Sequence, residues 1–161
     1  DLLGAHMLVL SKVAKNVDIG YDYLMKQLVA GHGLNKLREL IAYQGGNPDI
    51  IDDYSLLPKA SNNLEIFAKE SGYLNSVDTD MIGKASVLTG AGRLKKTDEI
   101  DLGAGITLSK RIGDYIENGE KIGEIFSSSL EKCEQAKEII ENALHITETA
   151  REKPTLIIDW F

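Results

Sequence analysis

The chain has 161 residues, 43% of them hydrophobic and 27% charged, with a formal net charge of -7 at pH 7. That length fits one domain of ordinary size or a small domain with an appendage, and the composition is that of a soluble globular protein. The acidic balance argues against a nucleic-acid coat, which needs clustered Lys and Arg, and apolar runs as short as Met7 to Leu10 exclude a helical membrane span. No basic segment followed by an apolar stretch opens the sequence, so the expectation is a cytoplasmic protein with no membrane or nucleic-acid partner. The single cysteine, Cys133, excludes an internal disulfide and a cysteine-cluster metal site.

Leu3, Met7, Leu10 and Ala14 recur at helical spacing and predict a helix over the first fifteen residues. No capping signal precedes Leu2, as expected of a chain cut from a longer one. Asp18 is the expected N-cap of a second helix, with Tyr21, Leu24, Met25, Leu28 and Val29 on its stripe and Gly31 at its end. A third helix runs from about Leu34 to Gln44, carrying Leu34, Leu37, Leu40 and Ile41 and stopped by Gly45. Asn47-Pro48 starts a further short turn of helix, which Leu57-Pro58 ends.

After Pro58 the period changes. Leu64, Ile66 and Ala68 alternate with polar residues, and Tyr73 to Val77 continues beyond Ser71-Gly72, which predicts a hairpin. Asp78 or Thr79 then caps a helix that buries Ile82, Ala85, Val87 and Leu88 and stops at Gly90. Gly90 to Gly103, GAGRLKKTDEIDLG, is rich in glycine and charge and poor in apolar anchors, the composition of an exposed, mobile loop. Gly105 to Ser127 reads as β structure: alternating runs surround turns at Gly113-Asp114 and Asn118-Gly119, with Ile106, Leu108, Ile112, Ile116, Ile122 and Ile125 as candidate core residues. Ser128 with Glu131 fits a capping box for a last helix that carries Leu130, Cys133, Ala136, Ile140 and Ala143 on one face. Thr155 to Ile158 is expected to pair at a sheet edge.

No active site emerges from these residues. His6, His32 and His145 are dispersed and lack a metal partner at i+3 or i+4, and Cys133 on an apolar stripe reads as an inert core residue. Asp52-Asp53 and Asp98-Glu99-Asp101 lack the alternating oxygens of a calcium loop and read as solvated acidic turns. Gly90-Ala91-Gly92-Arg93 could cradle a phosphate, but it follows a helix C-terminus, whose partial charge is negative. The spelling of Gly105 to Ser127 resembles half of the flattened barrel of biotin and lipoate carrier domains. Its tip holds Asn118-Gly119, whereas Lys84, Lys110 and Lys121 fall in a helix or strands, so no modified lysine and no cofactor is expected.

A collinear series of short stretches carries a second resemblance. It comprises Leu3-Gly4-Ala5-His6-Met7, Ala42 to Pro48 (AYQGGNP), Ile51-Asp52-Asp53, Leu57-Pro58-Lys59-Ala60 and Ser71-Gly72-Tyr73. The series continues through Leu88 to Arg93 (LTGAGR), Ile100-Asp101-Leu102 with Gly105-Ile106, and Ile112-Gly113-Asp114. In order and spacing these resemble the C-terminal part of the pyrimidine-nucleoside phosphorylases, the family that includes thymidine phosphorylase. The resemblance implies an α+β chain: residues 1–57 as the closing helices of the large α/β phosphorylase domain, and 60–161 as a C-terminal α/β-hammerhead containing a biotinyl-like barrel.

The family cleaves pyrimidine nucleosides with inorganic phosphate, releasing the base and ribose or deoxyribose 1-phosphate, and its members are homodimers. Its phosphate-binding, base-binding and metal-binding residues precede the region matched here. No catalytic, substrate-binding or metal-binding residue is therefore carried over, and the implied partner is a missing N-terminal part of the same enzyme. In the family the segment matching Gly90 to Asp101 lies near the active-site cleft, which implies a possible lid loop with Gly90, Gly92, Arg93, Lys95 and Lys96. The alternative expectation is a free-standing hammerhead module that binds without catalysis.

Overall fold

A computed structural model describes residues 2–157. The chain divides into two compact units, Asp1–Leu57 and Pro58–Phe161. The first holds α1 (Leu2–Leu10), α2 (Val17–Val29) and α3 (His32–Tyr43), then 3-10 turns at Pro48–Ile51 and Tyr54–Leu56. The helix α1 is shorter than its apolar spacing predicts, because the chain leaves helical geometry after Leu10 and Lys12 takes a positive φ of 62°. Asn16, not Asp18, caps α2 by accepting the Ile19 N–H at 2.9 Å; Asp18 instead occupies the first turn, where the helix dipole favours an acid.

Small residues let α1 and α2 approach closely. Ala5 and Gly20 are both buried, and a Cβ on Gly20 would lie 2.8 Å from the Ala5 carbonyl oxygen. Several long apolar side chains of this unit face outward: Leu3 and Met7 are each 68% exposed, Leu10 82% and Val29 85%. Leu34, Leu37 and Leu40 of α3 are exposed as well. Arg38 anchors α3 to the following turns through Asp52 at 2.8 Å and the Pro48 carbonyl at 3.4 Å. The stripes are helical as the sequence predicts, but few of their side chains are buried within this unit.

The second unit contains β1 (Asn62–Phe67), β2 (Gly72–Val77), α4 (Thr79–Ser86), a π turn (Val87–Ala91), β3 (Gly105–Leu108), β4 (Tyr115–Ile116), β5 (Lys121–Ser127), α5 (Leu130–Ala143) and β6 (Leu144–Thr147). Its strands form two antiparallel sheets, ordered β1-β5-β3 and β4-β2-β6. The predicted hairpin between β1 and β2 does not form. Leu64 of β1 stands opposite Ile125 of β5, whereas Tyr73 of β2 stands opposite Tyr115 of β4 and Thr147 of β6. Ala68 to Ser71 carries the chain from one sheet to the other, and Ala68 is held by two 2.9 Å backbone bonds, to the Glu120 carbonyl and from the Gly119 N–H. Local alternation predicted both strands correctly but could not choose their partners.

The core lies where the sheets meet α5. Ile66, Leu74, Ile116, Ile125, Cys133 and Ile140 are buried to within 1% of complete, and each large aliphatic among them is worth about 1.5–3 kcal/mol of burial. Of the β residues predicted for the core, Ile116, Ile122 and Ile125 are buried, while Ile106, Leu108 and Ile112 are only half-buried. Gly113 and Gly119 turn the chain with φ of 90° and 79°. Ser129, not Ser128, caps α5 by accepting the Lys132 N–H, and Leu130 is half exposed. An unpredicted strand, β6, continues directly from α5 and fills the edge of the second sheet. Residues 155–157 form no strand, and Ile158, the end of that predicted run, lies outside the described residues. Among the described residues no helix is long and apolar enough to cross a membrane.

Candidate functional site

Asp78 starts α4 by accepting the Met81 N–H at 3.0 Å, and the helix widens into the π turn over Val87–Ala91. Gly90, inside that turn, breaks its helical geometry at φ 104°, a conformation L side chains rarely adopt. Gly92 then leaves in an extended conformation, and a Cβ there would lie 2.9 Å from Val87 Cγ2. The glycines that suggested a phosphate cradle thus turn the chain and fit it against the end of a helix.

The loop that follows has a neck and a tip with different hydrogen bonding. At the neck, the Asp101 N–H donates to the Gly90 carbonyl at 2.9 Å, and the Ala104 N–H donates to the Asp101 carbonyl at 3.0 Å. The Asp101 carboxylate accepts the Gly103 N–H on Oδ1 and the Ser128 N–H on Oδ2, both at 3.0 Å. These bonds, from Gly103 first and Ser128 next, hold the Asp101 carboxyl below the usual carboxylate range against partial desolvation. Beneath the neck lie Thr89 and Ser127, both fully buried. Thr89 donates to the Ser86 carbonyl and Ser127 to the Thr89 carbonyl, each at 2.7 Å, while Ser127 Oγ accepts the Ser129 N–H.

The tip, Arg93 to Glu99, is bonded to itself. The Asp98 carboxylate accepts the N–H groups of Leu94 and Lys95 at 3.1 and 2.8 Å, and the Asp98 N–H returns to the Lys95 carbonyl at 3.1 Å. Arg93, Leu94, Lys95, Lys96 and Thr97 are exposed, and among the described residues no ion pair engages Arg93, Lys95 or Lys96. The Leu94 side chain, 82% exposed, borders a shallow groove lined by Val87, Leu88 and Ile139. The arrangement can present three free cations on a small self-closed turn held by a fixed base. Of the residues predicted for this site, Gly90 belongs to the base, Gly92 leads into the tip, and Arg93, Lys95 and Lys96 lie on it.

Asp101, read from sequence as one of a group of solvated acids, is the residue that joins the pieces. Asp-x-Gly is the local signal, since an aspartate side chain often bonds the backbone two residues on. The long-range partner Ser128 left no such trace.

The other candidates take structural positions. Among the described residues no group of three His, Cys, Asp or Glu could hold a metal. Asp52 pairs with Arg38, Asp53 accepts the Ser55 N–H at 2.9 Å, and His32 Nδ1 lies 2.5 Å from Gln27 Oε1. Cys133 is buried, and burial pushes its thiol above the ordinary range. Lys110 follows β3 rather than lying within it and pairs with Glu120 at 2.6 Å, while Lys121 pairs with Glu65 and Glu124. The sequence Lys-x-Ser occurs at Lys59-Ala60-Ser61 and Lys84-Ala85-Ser86. Ser61 donates to the Ser128 carbonyl, and Lys84 and Ser86 flank the buried Ala85 at the C-terminal end of α4, the end with the wrong charge for an anion.

Residues 73–147 match the family described as "Pyrimidine nucleoside phosphorylase C-terminal domain". Beyond that segment, 98% of the chain is 35% identical to a pyrimidine-nucleoside phosphorylase of Geobacillus stearothermophilus, covering 36% of that protein. The corresponding proteins of Staphylococcus epidermidis and Bacillus subtilis are each 37% identical, over 96% and 87% of the chain and 35% and 32% of their own lengths. The chain therefore spans about a third of the length of the curated relatives it matches, and a match running through both units does not favour a free-standing module. Over nearly its whole length the chain thus matches the C-terminal portion of pyrimidine-nucleoside phosphorylases.

Proposed function

We propose that this chain is the C-terminal part of a cytoplasmic pyrimidine-nucleoside phosphorylase and that it supplies scaffold and a lid to an active site built by residues outside it. The reaction transfers the pentosyl group of uridine, thymidine or deoxyuridine from the base to inorganic phosphate, giving the free base and ribose or deoxyribose 1-phosphate. The observation that carries this reading is the near-complete match of the chain to about a third of each phosphorylase. The family's Lys-x-Ser segment, glycine-rich phosphate loop and base-binding residues precede the matched region, so the chain alone is expected to be inactive.

In this reading the apolar helices α1 to α3 cover the remainder of the large domain, and the whole enzyme is a homodimer. The two sheets with α4 and α5 correspond to the hammerhead, and β3 and β5 belong to its biotinyl-like barrel. The self-closed tip is the lid. Exposed Arg93, Lys95 and Lys96 attract phosphate only weakly at physiological salt, but closure would desolvate them and strengthen that attraction. Deleting Lys95 to Glu99 in the full-length protein should raise the Michaelis constants for phosphate and nucleoside or reduce turnover, with the circular dichroism spectrum unchanged. Unchanged kinetics for both substrates would remove the lid.

A further inference from the structure

We infer that Asp101 is a positioning residue for the lid, a clasp that fixes the base about which the Arg93 to Glu99 tip is presented. Its role in the reaction rests on the lid reading; its role as a clasp does not. Asp101 is bonded in four directions: to Gly90 before the loop, to Gly103 and Ala104 after it, and to Ser128 at the junction of β5 and α5. The tip's hydrogen bonds, by contrast, run within it. A loop whose hydrogen bonds run within it takes its orientation from its ends, and Asp101 ties one end to the other through the Gly90 carbonyl.

The surroundings fix that residue tightly. A Cβ on Gly90 would lie 3.2 Å from Asp101 Cβ, and one on Gly103 would collide with the backbone of Lys59 and Ala60. The junction below is held by the buried Ser127 and Thr89 hydroxyls. A carboxylate is required because both oxygens accept from backbone N–H groups. An asparagine keeps one acceptor and turns an NH2 donor toward the other N–H.

Hydrogen exchange and trypsin cleavage of the full-length protein test the clasp. In the unmodified protein the Gly103 and Ser128 amides should exchange more slowly than those of Lys96 and Thr97; equal rates would overturn the clasp. Asp101→Asn should speed exchange at Gly103 and Ser128 roughly tenfold, the effect expected on losing hydrogen bonds to a charged acceptor, and increase cleavage after Arg93, Lys95 and Lys96. Asp101→Ala should do the same more strongly. Unchanged exchange and cleavage in both variants would refute the inference whatever the lid does.

Kinetics separate the two readings. If Asp101→Asn raises the Michaelis constants as tip deletion does, both stand. If deletion changes them and Asp101→Asn does not, the lid stands and the positioning role fails. If neither variant changes them, the lid reading fails and takes the positioning role with it.

Discussion

Both units are written in apolar stripes, yet they place them differently. In the second, the stripe of α5 (Cys133, Ala136, Ile140 and Ala143) is completely buried against strands that contribute Ile66, Leu74, Ile116 and Ile125. In the first, Leu3, Met7, Leu10 and Val29 face outward, and among the described residues those buried are Ala5, Ala14 and Gly20. A periodic pattern states that a helix has an apolar side; it does not state that the covering surface lies within the same unit. The second unit is built to hold itself, whereas the first offers apolar area suited to a partner surface.

Side-chain truncations in the two units test that contrast. The largest effect is expected in the second core. Ile140→Ala or Ile125→Ala should cost about 2–5 kcal/mol in urea unfolding, because each empties a fully buried site. Leu37→Ala, in the exposed face of α3, should change the stability of the isolated chain by no more than about 0.5 kcal/mol. Comparable losses at Leu37 and Ile140 would show that the contrast is wrong. Next comes Gly103→Ala, whose methyl meets the Lys59-Ala60 backbone rather than a side chain that can yield; about 1–3 kcal/mol of destabilisation is expected.

A smaller effect should appear on acidification, from Asp101, Asp114 and Glu120 in the second unit and from Asp52, hydrogen-bonded by Arg38, in the first. Hydrogen bonds from Lys153 and then the Arg111 amide lower the Asp114 pKa, those from Lys110 and then the Glu117 amide lower that of Glu120, and Gly103 with Ser128 lowers that of Asp101. A folded pKa below the unfolded one means that the unfolded chain binds protons more readily. The contribution is therefore fully present above the ordinary carboxylate range and is lost as pH falls through the folded values. Melting temperature should fall between about pH 5 and pH 2, and Asp114→Asn should flatten that slope. A slope unaltered by Asp114→Asn would remove Asp114 from the account. The smallest effect concerns Cys133, which should resist thiol reagents in the folded protein and react on unfolding.

The sequence revealed elements more readily than partners. Helix spacing located α2, α3, α4 and α5, and glycines at 31, 45 and 90 marked helix ends because each takes a positive φ. Caps moved by one or two residues, to Asn16 and Ser129, since neighbouring polar residues compete for the same role and backbone geometry decides. Sheet assignment failed between β1 and β2 because nearness in sequence was the only cue, while the partner of β1 lies some sixty residues away, with Asn62 opposite Ser127. The same limit applies at the site. Composition located the loop and its cations, but the bond between Asp101 and the Ser128 amide joins residues 27 apart, and only the fold brings them together.

In the proposed function the active site is built by residues outside this chain, and phosphate-dependent release of uracil from uridine tests that placement. The full-length protein should release uracil only when phosphate is present, while the 161-residue chain at equal concentration should show none above background. Uracil release by the isolated chain, or none by the full-length protein with phosphate, would contradict the account.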